Sequence, residues 1–168
     1  MTEIFLSFSA DKLSQLSDRI EDCLSRLTYD QVWKRAGDHD NSIGNLVLHL
    51  CGNVSQWILA GLGGLPYDRH RDAEFAANGG VQPGELSRRL HRTVFDATVV
   101  VRNLDENRML ELVEIQKYNV TVLEAVYHVV EHFAGHAGQI IFATKLLTGE
   151  DLGYYKHLSQ PAHHEATP

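Results

Sequence analysis

The chain has 168 residues, with 22 acidic against 15 basic side chains, a formal net charge of −7 and a hydrophobic fraction of 43%. That length suits one domain with its own core, and the negative charge speaks against a nucleic-acid partner. No segment approaches the roughly 20 continuous apolar residues of a membrane span.

The opening stretch, MTEIFLSFSADKL, lacks the basic region and long apolar run of a secretory signal, so the cytoplasm is the expected location. A first helix is expected from Ser9 as N-cap, with Asp11 in its first turn and Phe8 and Leu13 placed as a hydrophobic staple. Leu13, Leu16, Ile20, Leu24 and Leu27 form its seam. Thr28 to Ala36 reads as a short turn that packs Trp33 over the bundle end. The polar run GDHDNS leads into a second helix capped by Asn41 or Ser42 and continuing to about Leu62. Its apolar stripe is Ile43, Leu46, Val47, Leu50, Val54, Trp57 and Ile58.

Gly61-Leu62-Gly63-Gly64-Leu65-Pro66 breaks that pattern and opens a long connection to Gln82. Within it lie Asp68, Arg69, His70, Arg71, Asp72 and Glu74, beside Phe75. Two readings suit this cluster: a solvated loop with local ion pairs, or a lid whose arginine binds an anionic substrate while Glu74 acts at the site mouth. Pro83 starts a third helix with the stripe Leu86, Leu90, Val94, Ala97, Val101 and Leu104, on which His91 reads as structural. Asp105 to Val120 is irregular, and partly extended around Glu111–Tyr118.

Thr121-Val122-Leu123-Glu124 is a capping box that announces the fourth helix, and Gly149 ends it. Leu123, Val126, Val130, Ala134, Ala137, Ile141 and Thr144 give its expected buried face. Tyr154 and Tyr155 are placed to cover the bundle end. Residues 161–168 read as a frayed tail, where His163-His164 is no ligand pair, leaving one domain over 1–160. Cys23 and Cys51 form no CxxC arrangement and read as buried free thiols.

The chemistry concentrates in HVVEHFAGHAGQI. His128, His132 and His136 follow one another at four-residue steps, about one helical turn, so their imidazoles line one side of the helix. At roughly 100° per residue, His136 lies about 100° from the centre of the expected stripe, His132 about 140°, and His128 nearly opposite. His49 falls about 120° from the centre of the second helix's stripe by the same arithmetic. Edge histidines on two neighbouring helices can give three nitrogens to one ion and leave a position open. Cys51, about 200° around the helix from His49, is not expected to share it.

SIGNLVLHL…W together with HVVEHFAGHAGQI resembles the DinB-like superfamily of small bacterial metal-binding helical bundles, which includes the YfiT-like proteins. The resemblance runs from about Ser9 to Leu158 and includes RHRDAEF and DLGYYKHL. It implies an all-α four-helix bundle of up-down-down-up order with a divalent metal on His49, His132 and His136. It also suggests a homodimer. His128, Gln139, Asn53 and Trp57 are candidates to support the ligands from behind, and Glu74, Arg71 and Gln139 are candidate catalytic residues.

A ferritin-like di-iron site would need ExxH on two helices, and neither histidine helix has it. HExxH, GxSxG, a Walker loop and GxGxxG are also missing. Zinc and nickel suit imidazole, with iron and manganese behind them. The resemblance implies a metal-dependent enzyme, either a transferase using a low-molecular-weight thiol or a hydrolase using metal-activated water. The alternative is a non-catalytic stress-response bundle that binds metal.

Overall fold

The computed structural model describes residues 1–159, so the expected tail at 161–168 and its His163-His164 pair lie outside the described residues. Its long helices are α1 (Thr2–Arg26), α3 (Ile43–Val54), α5 (Pro83–Arg102) and α6 (Val122–Thr148). Two short helices, α2 (Tyr29–Trp33) and α4 (Arg71–Ala76), lie in the first two connections. The third connection contains an antiparallel hairpin, β1 (Leu112–Ile115) with β2 (Tyr118–Thr121).

Contacts between side chains give the helix directions. Arg102 reaches Asp11, and Glu21 meets His91, so α1 and α5 run antiparallel. Arg26 pairs with Glu150 just beyond the end of α6, so α1 and α6 run parallel. His49 lies against His132 and His136 while Trp57 lies against His128, so α3 opposes α6. Both α1 and α3 pack on α5 and α6, across the bundle from each other. The order is up-down-down-up. Because α3 and α5 point the same way, residues 61–82 must carry the chain back along the bundle between them.

Local signals set most boundaries. Ser42 caps α3 with Asn45 completing a capping box, and Thr121 caps α6 with Glu124 in the same way. Gly149 closes α6 at φ 71, a conformation that suits glycine. Gln116 and Lys117 form the two-residue hairpin turn at φ 54 and 67, matching the primed turn that the strand twist favours. The hairpin then runs directly into α6, because Thr121 ends β2 and caps the helix.

Three expectations are corrected. Helix α1 begins at Thr2, and Ser9 is a buried mid-helix residue at 4% exposure. Leu6 and Ala10 extend its seam, while Phe8 stays exposed and makes no staple. Helix α3 is buried on every side instead of along one stripe, since α2 and α4 cover its outer face. On α6 the buried residues are Val122, Ala125, Val126, Val129, Phe133, Ala137, Ile140 and Thr144, a face rotated by about 60° from the expected one. Leu123 and Ala134, counted in the expected stripe, are exposed.

Cys23 and Cys51 are both free and buried. Burial raises the Cys51 thiol to about 11, and its neighbours Arg89 and Thr93 place it toward α5, away from the histidines. Tyr154 covers α1 as expected, its hydroxyl 2.9 Å from both Arg19 O and Asp22 Oδ2, whereas Tyr155 is exposed. Among the described residues, no helix is long and apolar enough to cross a membrane.

Candidate metal centre

The antiparallel crossing of α3 and α6 brings His49, His132 and His136 together. Each offers a ring nitrogen, and the three nitrogens lie within 4.8 Å of one another. His49 and His132 approach most closely, Nε2 to Nε2 at 3.1 Å. The rotated burial of α6 matters here. It places His136 and His132 nearer the buried face than the sequence periodicity suggests, and His128 remains the most peripheral.

The far ring nitrogens of two of these histidines are held. His49 Nδ1 lies 3.0 Å from Glu74 Oε2, and His136 Nδ1 lies 2.8 Å from Gln139 Oε1. The Glu74 carboxylate can only accept, so the His49 ring carries its proton on Nδ1 and turns an Nε2 lone pair toward the cluster, while Gln139 holds the orientation of the His136 ring. Arg69 Nη2 is 3.1 Å from His49 Nδ1, but two donors do not bond; Arg69 instead donates twice to Glu74, at 2.8 Å to each oxygen. His132 Nδ1 is buried and has no partner among the described residues.

This arrangement fits a cation. With His49 Nδ1–H committed to Glu74, His49 Nε2 can only accept. His132 can donate to it only by leaving its own Nδ1 as a bare, buried acceptor, an arrangement that costs free energy. A positive ion on the facing lone pairs removes that conflict. Burial, reinforced by the neighbouring imidazoles, lowers His132 to about 3. Burial also lowers His49, with the Glu74 hydrogen bond opposing and the Arg69 charge assisting. Both are therefore neutral at pH 7, the form that ligates metal.

The segment that carries Glu74 is pinned to α3 from several directions. Asn45 Nδ2 donates to Glu74 O at 2.9 Å and Ala77 O at 2.7 Å, while Arg35 Nη2 donates to Phe75 O at 2.6 Å. Gly52 leaves the room that Glu74 needs. A Cβ at that position would lie 2.0 Å from Glu74 Oε1 and 3.0 Å from Arg69 Nε. Glu74 consequently sits behind His49 instead of at the site mouth, and Arg69 is a buried ion-pair partner at 5% side-chain exposure. Asn45, Arg35 and Gly52 were not picked out from the sequence. The available signals were an asparagine at the third position of a helix and a glycine inside an apolar one.

A cavity of about 440 Å³ opens beside the cluster, bordered by His49 and His132. Its wall includes Trp57, His128 and the hairpin residues Gln116, Tyr118 and Val120. After Val54, α3 passes into a π-helical turn over Ser55–Ala60, a feature frequent at functional sites. That turn carries Gln56 and Trp57. Trp57 Nε1 donates to Gln116 Oε1, and Gln56 Oε1 accepts from both Gln116 and Arg69. The hairpin tip is thus tied to the guanidinium that holds Glu74. His128 packs against Trp57 with ring centroids 4.3 Å apart and does not join the three-nitrogen group. Asn53 also borders the cavity, its Oδ1 buried without a partner among the described residues.

Residues 1–163 match the sequence model of a family described as a protein of unknown function, DUF1572. The chain belongs to the DUF1572 family. Among solved structures, the crystal structure of a conserved protein from Enterococcus faecalis superposes with a TM-score of 0.70 at 17% identity, covering 84% of this chain and 96% of that one. Identity that low shows a shared fold. No curated protein matches the chain.

Proposed function

We propose that the protein is a DinB-like metal-dependent enzyme that holds one divalent ion, zinc or nickel before iron or manganese, on His49, His132 and His136. The observation that carries this reading is the set of three convergent imidazole nitrogens, two of them anchored from behind by Glu74 and Gln139, bordering a cavity. The DUF1572 match and the four-helix bundle support the DinB-like assignment. The group supplies three protein donors, as catalytic sites do, where a closed structural site takes four.

When bound, such an ion lowers the pKa of a thiol or water and so supplies a nucleophile near neutral pH. The protein's own part is to orient the ligand rings through Glu74 and Gln139, to keep His49 and His132 neutral by burial, and to border the cavity with Arg71, Tyr118 and His128. Transfer from a low-molecular-weight thiol is the reading that the DinB-like resemblance favours.

The test compares metal-loaded, metal-free and His132→Ala protein. A panel of such thiols with a generic electrophile is run beside a panel of esters and amides. Metal-dependent thiol conjugation that disappears in His132→Ala supports the transferase reading. Turnover of esters or amides alone selects the hydrolase. Metal binding without turnover in either panel selects the non-catalytic bundle.

A further inference from the structure

Two arginines border the cavity, and their surroundings differ. Arg69 is buried and donates to both oxygens of Glu74. Arg71 is exposed, and among the described residues no carboxylate pairs with it. Its guanidinium instead lies 4.9 Å over the Phe75 ring, while that ring lies 4.7 Å from His49. Stacking of this kind restrains a guanidinium and leaves its N–H edge free to bind an anion in a bidentate manner. Among the described residues, Arg71 is therefore the arginine at the cavity wall with no carboxylate partner.

Another part of the wall is aromatic. Trp57 packs between His128, with centroids 4.3 Å apart, and Tyr118, at 6.4 Å. Tyr118 is 63% exposed, a large apolar ring left open on the hairpin. Among the described residues, the acidic side chain on the wall is Glu124, whose Oε2 accepts from the backbone and hydroxyl of Thr121. Apart from an ion on the histidines, the wall offers one available cation and one carboxylate, which suits a ligand of single negative charge over a dianion.

We infer that the cavity takes a small aromatic or flat apolar monocarboxylate, its carboxylate on Arg71 and its body against Tyr118 and His128. This deepens the reading of the same site given above by naming the class of its substrate. The volume of about 440 Å³ falls within the range usual for small-molecule sites. Arg71 fixes orientation through paired N–H···O bonds, and the aromatic wall supplies apolar contact. The ring of the ligand is thereby held beside the histidine cluster.

The experiment uses metal-free, tag-free protein at pH 7.5 and reads tryptophan fluorescence, since Trp57 borders the cavity whereas Trp33 is buried against Gly44. Phenylacetate, phenylacetamide, acetate and phenyl phosphate are titrated into wild type, Arg71→Gln and Arg71→Lys. Phenylacetate is expected to bind at least about tenfold more tightly than its uncharged amide, as a charge-assisted hydrogen bond implies. Acetate and phenyl phosphate should both bind more weakly than phenylacetate. Arg71→Gln should remove the preference for the acid over the amide, and Arg71→Lys should keep part of it. Equal affinity for acid and amide, no binding of either, or an unchanged preference in Arg71→Gln overturns the inference. Tighter binding of phenyl phosphate overturns the monocarboxylate assignment. The readout needs neither metal nor turnover, so its failure is distinct from failure of the metal-dependent activity.

Discussion

His49 and Glu74 lie 25 positions apart in the chain, yet Nδ1 of one is 3.0 Å from Oε2 of the other. That contact sets the tautomer of a buried imidazole, and two hydrogen bonds from Arg69 hold the carboxylate in place. Replacing Glu74 by glutamine is expected to weaken metal binding by about 10–100-fold while the bundle remains folded. Competition against a chromophoric chelator measures the change. An affinity equal to wild type would mean that Glu74 does not orient the ligand.

Gly52 offers a second route to the same contact. A methyl group there would overlap Glu74 Oε1, so Gly52→Ala should displace the carboxylate without altering any proposed ligand. Alanine is also the better helix former, by about 1 kcal/mol in a helix interior. The expected outcome is weaker metal binding together with retained helical circular dichroism. Unchanged affinity would show that Glu74 can move without consequence.

The ligand assignment itself is tested by stoichiometry. Elemental analysis of tag-free protein should find metal strongly reduced in His49→Ala, His132→Ala and His136→Ala. In His128→Ala most of it should remain, because His128 packs on Trp57 outside the three-nitrogen group. Equal losses from His128→Ala and His132→Ala would contradict the assignment.

Removal of metal should leave the fold intact, since the core of the bundle runs its whole length without the histidines. Chelation is expected to lower the melting temperature while preserving helical circular dichroism at room temperature. Loss of helical signal on chelation would give the ion a structural role.

The acid stability of the metal-free protein follows from the burial of His132. An unfolded histidine protonates near 6.5, whereas the folded side chain does so only at about 3. Between those values the unfolded state binds the extra proton, so stability is retained above about pH 6.5 and lost as pH falls toward 3. A metal-free His132→Gln variant should therefore show a shallower fall in melting temperature between pH 7 and pH 5 than wild type. Parallel curves for the two proteins would rule out the lowered His132.

What the sequence determined by itself is local. The capping boxes at Ser42 and Thr121, the stop at Gly149 and the one-turn spacing of His132 and His136 depend on groups within about four residues, so they can be read without knowing the fold. The bundle class is implied by the family resemblance that the paired histidine motifs carry. Tertiary packing decided the rest. It rotated the buried face of α6, because Val129 and Phe133 fill the interior in place of Val130 and Ala134. It buried α3 completely and let Glu74 reach His49 through the space at Gly52. It also turned Arg69 inward and left Arg71 at the cavity. Helix periodicity specifies which side chains share a face, but which partner meets that face depends on the long connection between α3 and α5 folding back over the bundle.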